Sequence, residues 1–208
     1  MAFEIFTPRE IEERSMATIT EELNGRTWPE PEFSIIKRCI HTSADFDYAD
    51  NLTFSENAAK IGVEAIRNGA DIVTDTKMAA AGINKKRLAD HGGQVHCYIS
   101  DPDVIEEAKA KGSTRATVSM QRGAKIGKPV IFVVGNAPTA LYEVHRMIVE
   151  EGLKPALVVG VPVGFVNVVE SKEIIMGDDV PYIVAKGRKG GSNIAAAIIN
   201  AMLYTMGR

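Results

Sequence analysis

In the stretch Val130-Ile131-Phe132-Val133-Val134-Gly135-Asn136-Ala137-Pro138-Thr139, five apolar residues run into a glycine turn and then into the start of a helix. A short and wholly apolar run of this kind is typical of a strand that is buried on both faces. Residues 137–151 carry a helical pattern that Gly152 ends. The stretch therefore predicts one strand–helix unit of a parallel α/β sheet.

The same alternation continues through residues 71–208. Further strands are expected at residues 71–75, 94–99, 156–160 and 182–185, each followed by helical sequence. Together they predict an α/β fold with three layers, in which a mainly parallel, five-stranded and doubly wound sheet of the flavodoxin-like kind forms the core. Residues 1–70 are expected to be an N-terminal extension of this core, so that residues 1–208 make a single domain.

Within the extension, the apolar run at residues 33–40 is interpreted as a strand that ends at His41. Two hydroxyl residues, Thr42 and Ser43, follow it directly. Imidazole can deliver or accept a proton near neutral pH, so His41 is the candidate acid–base residue. The alternative is a surface or helix-capping histidine beside a polar turn. Ser15 lies on the apolar face of a helix that Thr7 caps, where its hydroxyl either bonds back to that helix or faces a ligand.

Composition excludes several classes of protein. The net charge of −3 argues against a nucleic-acid binder. No apolar run approaches the roughly 20 residues that span a bilayer, and residues 1–6 lack the basic start of a signal peptide. Cys39 and Cys97 both lie in apolar runs and are expected to be reduced thiols. These features predict a cytoplasmic protein that binds neither nucleic acid nor membrane.

In open α/β sheets, ligands bind beyond the carboxyl ends of the strands. Glycines at these strand ends allow a ligand to approach, and helix N-termini favour anions. The predicted binding residues at this edge are Asp75, Thr76, Lys77, Gly135, Asn136, Ala137, Gly160, Gly164, Arg188, Gly190, Gly191 and Ser192. Lys189 is a further candidate cation. Arg115 opens a helix, where the helix dipole disfavours a cation, so either it binds a carboxylate ligand or it is a solvated surface residue.

Common cofactor and metal motifs are absent from the sequence. It contains no G-x-G-x-x-G dinucleotide fingerprint, no phosphate-binding P-loop and no G-x-S-x-G nucleophile turn. The four histidines have no metal-ligand spacing, and His96 and His145 are interpreted as structural. The sequence therefore predicts neither a bound metal nor a cofactor.

Taken together, the motifs resemble those of the precorrin-8X methylmutase family, which includes the cobalt-precorrin-8 methylmutases of cobalamin biosynthesis. The matching motifs run in family order over nearly the whole chain, and they are Ile40-His41-Thr42-Ser43-Ala44-Asp45-Phe46, Thr74-Asp75-Thr76-Lys77-Met78, Thr114-Arg115, Gly135-Asn136-Ala137-Pro138-Thr139-Ala140-Leu141, Gly160-Val161-Pro162-Val163-Gly164-Phe165-Val166, Glu170-Ser171-Lys172-Glu173 and Gly187-Arg188-Lys189-Gly190-Gly191-Ser192. The departure is Lys77, where the family pattern leads us to expect a neutral residue such as asparagine.

The resemblance implies an isomerase that moves a methyl group from carbon 11 to carbon 12 of precorrin-8X or cobalt-precorrin-8, giving hydrogenobyrinate or cobyrinate. The family histidine maps onto His41, which would protonate the macrocycle or share its proton. The resemblance also implies an anionic corrinoid substrate, no cofactor of the protein's own, any cobalt belonging to the substrate, and a homodimer with a shared active site. Whether the natural substrate carries cobalt stays open at this point.

Two other functions remain as alternatives. One is a binding module of the same fold that holds a tetrapyrrole or a nucleotide without chemistry, which would not need a titrating group such as His41. The other is a methyltransferase that uses S-adenosylmethionine, against which the missing glycine fingerprint counts.

Overall fold

Six strands form one mixed sheet in the computed structural model, which describes residues 6–207. The strands are β1 (Leu52–Phe54), β2 (Asp71–Thr74), β3 (Val95–His96), β4 (Val130–Val134), β5 (Leu157–Gly160) and β6 (Tyr182–Ala185). Their order across the sheet is β1-β6-β5-β4-β2-β3. Strands β2 to β6 are parallel, and β1 pairs antiparallel with β6 at the edge.

Helices cover both faces of the sheet. They are α1 (Pro8–Glu22), α2 (Glu32–Ser43), α3 (Tyr48–Asn51), α4 (Ala58–Arg67), α5 (Lys77–Gly82), α6 (Lys85–Asp90), α7 (Pro102–Ala110), α8 (Arg115–Gly123), α9 (Pro138–Glu151), α10 (Val168–Gly177) and α11 (Ser192–Thr205). One core contains residues of α2, α4, α5 and α11, and the other contains residues of α8, α9 and α10. The three layers follow from these two cores.

Strand β4 shows why the sheet is buried on both sides. All five of its residues are buried. Ile131 and Val133 belong to the core under α11, whereas Phe132 and Val134 belong to the core under α9. This division is the two-residue alternation of a β-strand, and it explains why the strand reads as a continuous apolar run.

The five-stranded prediction was wrong in number, because β1 adds a sixth, antiparallel strand that the sequence reasoning missed. The strand predicted at residues 33–40 was also wrong, because these residues lie in α2. Ile35, Ile36, Cys39 and Ile40 are the buried residues of this helix. Their spacing repeats every three to four residues and matches a helix face, not the period of two that a strand requires. His41 therefore stands in the last turn of a helix.

Most of the remaining elements lie close to their predicted positions. Helix α1 has the predicted Thr7 cap, because the Thr7 hydroxyl accepts the Glu10 N–H and the Glu10 carboxylate accepts the Thr7 N–H. Helix α10 starts at Val168 instead of residue 162, and β3 is only two residues long. No helix within residues 6–207 is both long and apolar enough to cross a membrane. Residues 1–5 of the expected extension, and with them most of the segment compared with a signal peptide, lie outside the described residues.

Candidate active site

The crevice between β2 and β4 is occupied by the side chain of Asp75. Its carboxylate accepts the backbone N–H groups of Gly135, Asn136 and Ala137 at 2.8, 2.9 and 2.7 Å. Asp75 is only 2% exposed, and this burial raises its pKa while the three N–H donors oppose the rise. The backbone donors of this turn are therefore bound to the protein itself, and Asp75 acts on a ligand only through the turn that it holds.

Several glycines at this edge allow the loops that follow neighbouring strands to pack closely against one another. A Cβ atom on Gly135 would lie 2.9 Å from the Cα of Ser192, and one on Gly190 would lie 2.1 Å from the carbonyl oxygen of Val161. Gly191 donates its N–H to the same carbonyl at 2.8 Å. The hydroxyls of Thr76 and Ser192 are bonded at 2.8 Å. The glycine-rich loops thus form one packed unit around the carboxyl ends of β2, β4 and β5.

Gly160 and Gly164 differ in how far they are buried. Gly160 is a buried residue of β5, and a Cβ atom there would lie 3.3 Å from the side chain of Val184 and 3.4 Å from that of Leu141. Gly164 is half-buried in the next loop and donates its N–H to the carbonyl of Arg188 at 3.2 Å. Gly160 is therefore a packing residue, whereas Gly164 belongs to the loop surface.

Three of the predicted cations are exposed at this edge without an ion-pair partner among the described residues. They are Lys77, Arg115 and Arg188. Lys77 opens α5 directly after β2, and Arg115 opens α8 beside the start of α9, since the Thr114 and Thr139 hydroxyls are bonded at 2.9 Å. The charges of these side chains are consequently available to an anionic ligand.

Large apolar side chains are exposed at the same edge. Phe165 is 83% exposed, Val166 76% and Met78 71%. The Arg188 guanidinium lies 5.4 Å from the centre of the Phe165 ring. Apolar groups this exposed, next to free cations, suit a ligand with a flat apolar body and an anionic rim.

His41 lies on the wall of a groove between α1 and α2. The groove has a volume of about 620 Å³, and its lining includes Ile11, Ser15, Ile40, His41 and Phe46. The imidazole is exposed and has no hydrogen-bond partner among residues 6–207. The Ser15 hydroxyl donates to the carbonyl of Ile11 at 2.7 Å, so it bonds back to its own helix while lining the groove.

The hydroxyl residues that follow His41 have different roles. Thr42 is exposed. The Ser43 hydroxyl donates to the carbonyl of Cys39 at 2.7 Å and accepts the N–H of Asp45 at 3.2 Å, so it shapes the end of α2. Of the two, only Thr42 presents a free hydroxyl on the surface beside His41.

Lys189 joins the His41 segment to the glycine-rich loops. Its ammonium lies 2.6 Å from the Asp45 carboxylate and 2.5 Å from the Asp47 carboxylate. These bonds lower the pKa of Asp45 and raise the pKa of Lys189. Lys189 is thus already paired within the protein, and it differs in this from its neighbour Arg188.

Lys172 was not among the predicted site residues, although it lies directly beneath the same loop. It is 1% exposed, and its ammonium donates to the carbonyls of Gly187 and Lys189 at 2.7 and 2.8 Å. Burial lowers its pKa to about 8. The signal was in the sequence, because Val168, Ser171, Lys172 and Ile175 are spaced as the inner face of a helix, and all four are buried.

The structure offers no metal centre within the described residues, where no group of three or more His, Cys, Asp and Glu side chains could hold an ion. Two of the remaining histidines are paired with carboxylates, as their structural interpretation expects. His96 Nε2 lies 2.9 Å from Asp71, and His145 Nδ1 lies 2.8 Å from Asp178. Cys39 and Cys97 are both free thiols.

Comparison with known proteins gives the same family throughout. The family model of precorrin-8X methylmutase matches residues 10–205. A cobalt-precorrin-8 methylmutase of Priestia megaterium is 46% identical over 195 residues, covering 94% of this chain and 87% of that protein. The cobalt-precorrin-8 methylmutase of Salmonella typhimurium is also 46% identical, with 95% of each chain covered. The precorrin-8X methylmutase of Pseudomonas aeruginosa is 38% identical, with 91% of each covered.

A solved structure shares the fold as well. The precorrin-8X methylmutase of Thermus thermophilus superposes with a TM-score of 0.85 at 37% identity, covering 93% of this chain and 95% of that one. A family match over nearly the whole chain, relatives above 40% identity and a shared fold agree with one another. The chain therefore belongs to the precorrin-8X methylmutase family, the corrinoid isomerases of cobalamin biosynthesis.

Proposed function

We propose that this isomerase moves a methyl group from carbon 11 to carbon 12 of the corrinoid ring and that His41 supplies the proton that favours the shift. The observation that carries the proposal is the exposed imidazole of His41 on the wall of the α1–α2 groove. A ring nitrogen of a macrocycle in this groove is a suitable partner for such an imidazole. The migrating methyl group leaves one ring carbon and bonds to its neighbour, so the reaction consumes no electrons and no second substrate.

The edge of the sheet supplies what the substrate requires. Carboxylates around the corrinoid rim would pair with Lys77, Arg115 and Arg188, whose charges are not neutralised by the described residues. The flat face of the ring would pack against Phe165 and Met78. The chain would use no cofactor of its own, and any cobalt would belong to the substrate. Lys77 then adds a charge where we expected a neutral residue.

The relatives favour the cobalt-bearing substrate. Proteins named cobalt-precorrin-8 methylmutase reach 46% identity, whereas the precorrin-8X methylmutase of Pseudomonas aeruginosa has 38%. We therefore propose cobalt-precorrin-8 as the natural substrate and cobyrinate as its product. We also propose that residues 1–208 work as a single methylmutase domain in the cytoplasm, without nucleic-acid or membrane partners.

A homodimer with a shared active site would cover both the His41 groove and the exposed apolar side chains at the edge of the sheet. The His41 groove and the exposed Phe165 and Val166 side chains are open at the surface of one chain. A second copy would cover these apolar groups and enclose the ring. Sedimentation velocity tests this proposal. We expect a dimer for the wild type and a monomer for Phe165→Asp, and a monomeric, active wild type would contradict the shared site.

The reaction is tested by anaerobic incubation of the purified protein with precorrin-8X and, separately, with its cobalt complex. The visible spectrum reports the methyl-migrated corrin. We expect His41→Ala to lower turnover by about 10²–10⁴-fold while corrin binding largely survives. The matched control is His91→Ala, which removes a half-buried histidine at the end of α6.

The outcomes separate the candidate functions. Faster conversion of the cobalt complex would support cobalt-precorrin-8 as the substrate. Full activity of His41→Ala would remove His41 from the mechanism. A bound-corrin spectrum without conversion of either substrate by the wild type would favour the non-catalytic binding module.

A further inference from the structure

Lys172 is a buried, positively charged residue that the proposed mechanism does not use. Its ammonium has no carboxylate partner in the part of the chain that the structure describes, and its two acceptors there are backbone carbonyls of one loop, those of Gly187 and Lys189. A buried ammonium is costly unless it is fully bonded, so a charge in this place calls for a role. The loop that it holds, residues 187–191, contains three of the predicted binding residues and connects β6 to α11.

The bonds to Lys172 determine how this loop is oriented. In a trans peptide the C=O and the following N–H point in opposite directions. With the carbonyls of residues 187 and 189 turned inward, the N–H groups of Arg188 and Gly190 point away from Lys172. Neither N–H is bonded to an acceptor among residues 6–207. The loop therefore offers two outward backbone donors beside the free guanidinium of Arg188.

We propose that Lys172 is a positioning residue of the substrate site: it holds two carbonyls of the 187–191 loop inward and thereby presents the N–H groups of Arg188 and Gly190 to a carboxylate of the corrinoid. This inference rests on the proposed function, because it takes the carboxylate-fringed corrinoid as the ligand. Backbone N–H groups that face the same side of a turn form an anion-binding concavity, and a cation beneath them strengthens it.

Other contacts of the loop agree with this role. The Arg188 carbonyl accepts the N–H of Gly164, and the Gly191 N–H donates to the carbonyl of Val161. The loop is thus fixed from α10 by Lys172 and from the loop after β5 by these two bonds. The ammonium of Lys189 is engaged by Asp45 and Asp47, so it leaves the outward donors open to a ligand.

No ionisable side chain among the described residues forms an ion pair with Lys172. Its pKa is lowered because burial disfavours the charged ammonium. The ionisable side chains on α10 and on the elements packed against it are Glu170, Glu173, Tyr182, Tyr142, Glu143, His145, Arg146, Glu150 and Glu151. The connection after β6 adds Lys186, Arg188 and Lys189, and none of these side chains is bonded to the Lys172 ammonium. The positive charge beneath the loop is therefore available to a ligand carboxylate above it.

The test measures binding of two forms of the same corrin, cobyrinate and its fully methyl-esterified form, to wild type and Lys172→Met by titration calorimetry. We expect Lys172→Met to weaken binding of the carboxylate form by about tenfold and to leave binding of the ester within about twofold. Lys186→Met is the matched control, because this exposed lysine precedes the loop, and it should change neither affinity. Equal weakening of both forms, or no weakening of either, would overturn the proposal.

A second measurement keeps the test decisive if Lys172→Met does not fold. Between about pH 7 and pH 9, Lys172 loses its charge while surface lysines keep theirs. Wild-type affinity for the carboxylate form should fall over this range and affinity for the ester should stay constant. Equal pH dependence of both would overturn the proposal. A wild type that binds the carboxylate form but converts no substrate would refute the proposed function alone.

Discussion

The carboxylate of Asp75 accepts the backbone N–H of Gly135 at 2.8 Å and so joins the ends of β2 and β4. These two strands are neighbours in the sheet, and β3 lies beyond β2 on the other side. The chain leaves β2 towards β3 and leaves β4 towards β5, in opposite directions, and open α/β sheets commonly bind ligands at the crevice between two such strands. In this protein the Asp75 carboxylate fills that crevice. A ligand would therefore bind farther out, on the surface of the loops at the strand ends.

Replacing Asp75 by asparagine should therefore destabilise the protein. One carboxylate oxygen accepts the Gly135 N–H and the other accepts the N–H groups of Asn136 and Ala137. The asparagine side chain has only one oxygen, so its NH₂ group would face at least one of these N–H donors and leave it without an acceptor. We expect the free energy of unfolding in urea to fall by about 1–3 kcal/mol. Asp90→Asn, at an exposed helix end, is the control and should have little effect. Unchanged stability of Asp75→Asn would show that the crevice tolerates the missing acceptor.

Arg115→Ala should weaken corrinoid binding with a smaller effect on the chemical step. The guanidinium has no ion-pair partner among the described residues and stands at the first residue of α8, where the helix dipole disfavours it. A charge-assisted bond to a carboxylate leads us to expect about a tenfold loss of affinity for cobyrinate, measured by calorimetry, with turnover within about twofold. Lys154→Ala, an exposed cation on the α9–β5 connection, is the control. An unchanged affinity would return Arg115 to the solvated surface residues.

Gly190→Ala should cost more stability than a substitution at a glycine in an open turn. The added Cβ would lie 2.1 Å from the Val161 carbonyl oxygen, and φ is already +158°. The matched variant is Gly127→Ala, because Gly127 has a φ of +76° with open space around it. We expect about 1–2 kcal/mol of backbone strain in Gly127→Ala and a larger loss in Gly190→Ala, accompanied by weaker corrinoid binding. Urea unfolding and calorimetry would show this difference, and equal losses would contradict the tight fit.

The sequence predicts the parallel core well because its strands are strongly marked. The run at β4 is wholly apolar, ends at a glycine and is followed by a helix that Gly152 ends. A buried strand followed by a helix therefore explains this stretch much better than any other arrangement. Helix α2 was misread because Ile35, Ile36, Cys39 and Ile40 were taken as an alternation, although their spacing fits a helix. Strand β1 has only three residues, and its pairing with β6 depends on tertiary contacts that no local pattern contains.

The candidate site was harder to predict than the fold. Glycine at a strand end indicates close approach of something, but it does not distinguish a ligand from another loop. Gly135 and Gly190 meet neighbouring backbone, whereas Lys77 and Arg188 are exposed beyond the strands that they follow. Lys172 was missed because lysine is normally a surface residue, and only the helical spacing of its apolar neighbours indicates that it faces inward.

Lys172 also predicts how the stability of the protein depends on pH. Burial lowers its pKa from 10.5 to about 8 in the folded protein, so the unfolded chain binds more protons than the folded one between these values. The free energy of unfolding should therefore rise as the pH increases from about 8 to about 10.5, by up to about 3 kcal/mol at about 1.4 kcal/mol per pH unit. Below pH 8 this contribution is absent, because the ammonium is then charged in both states.

The measurement is urea unfolding of wild type and Lys172→Met at several pH values across that window. Other groups titrate there too, Cys39 among them, and the difference between the two proteins isolates Lys172. We expect the stability of the wild type to rise relative to Lys172→Met as the pH increases, whereas the exposed control Lys186→Met should follow the wild type. A difference that is independent of pH would mean that the ammonium keeps its proton in the folded state, for example because the two carbonyls hold it more strongly than burial disfavours it.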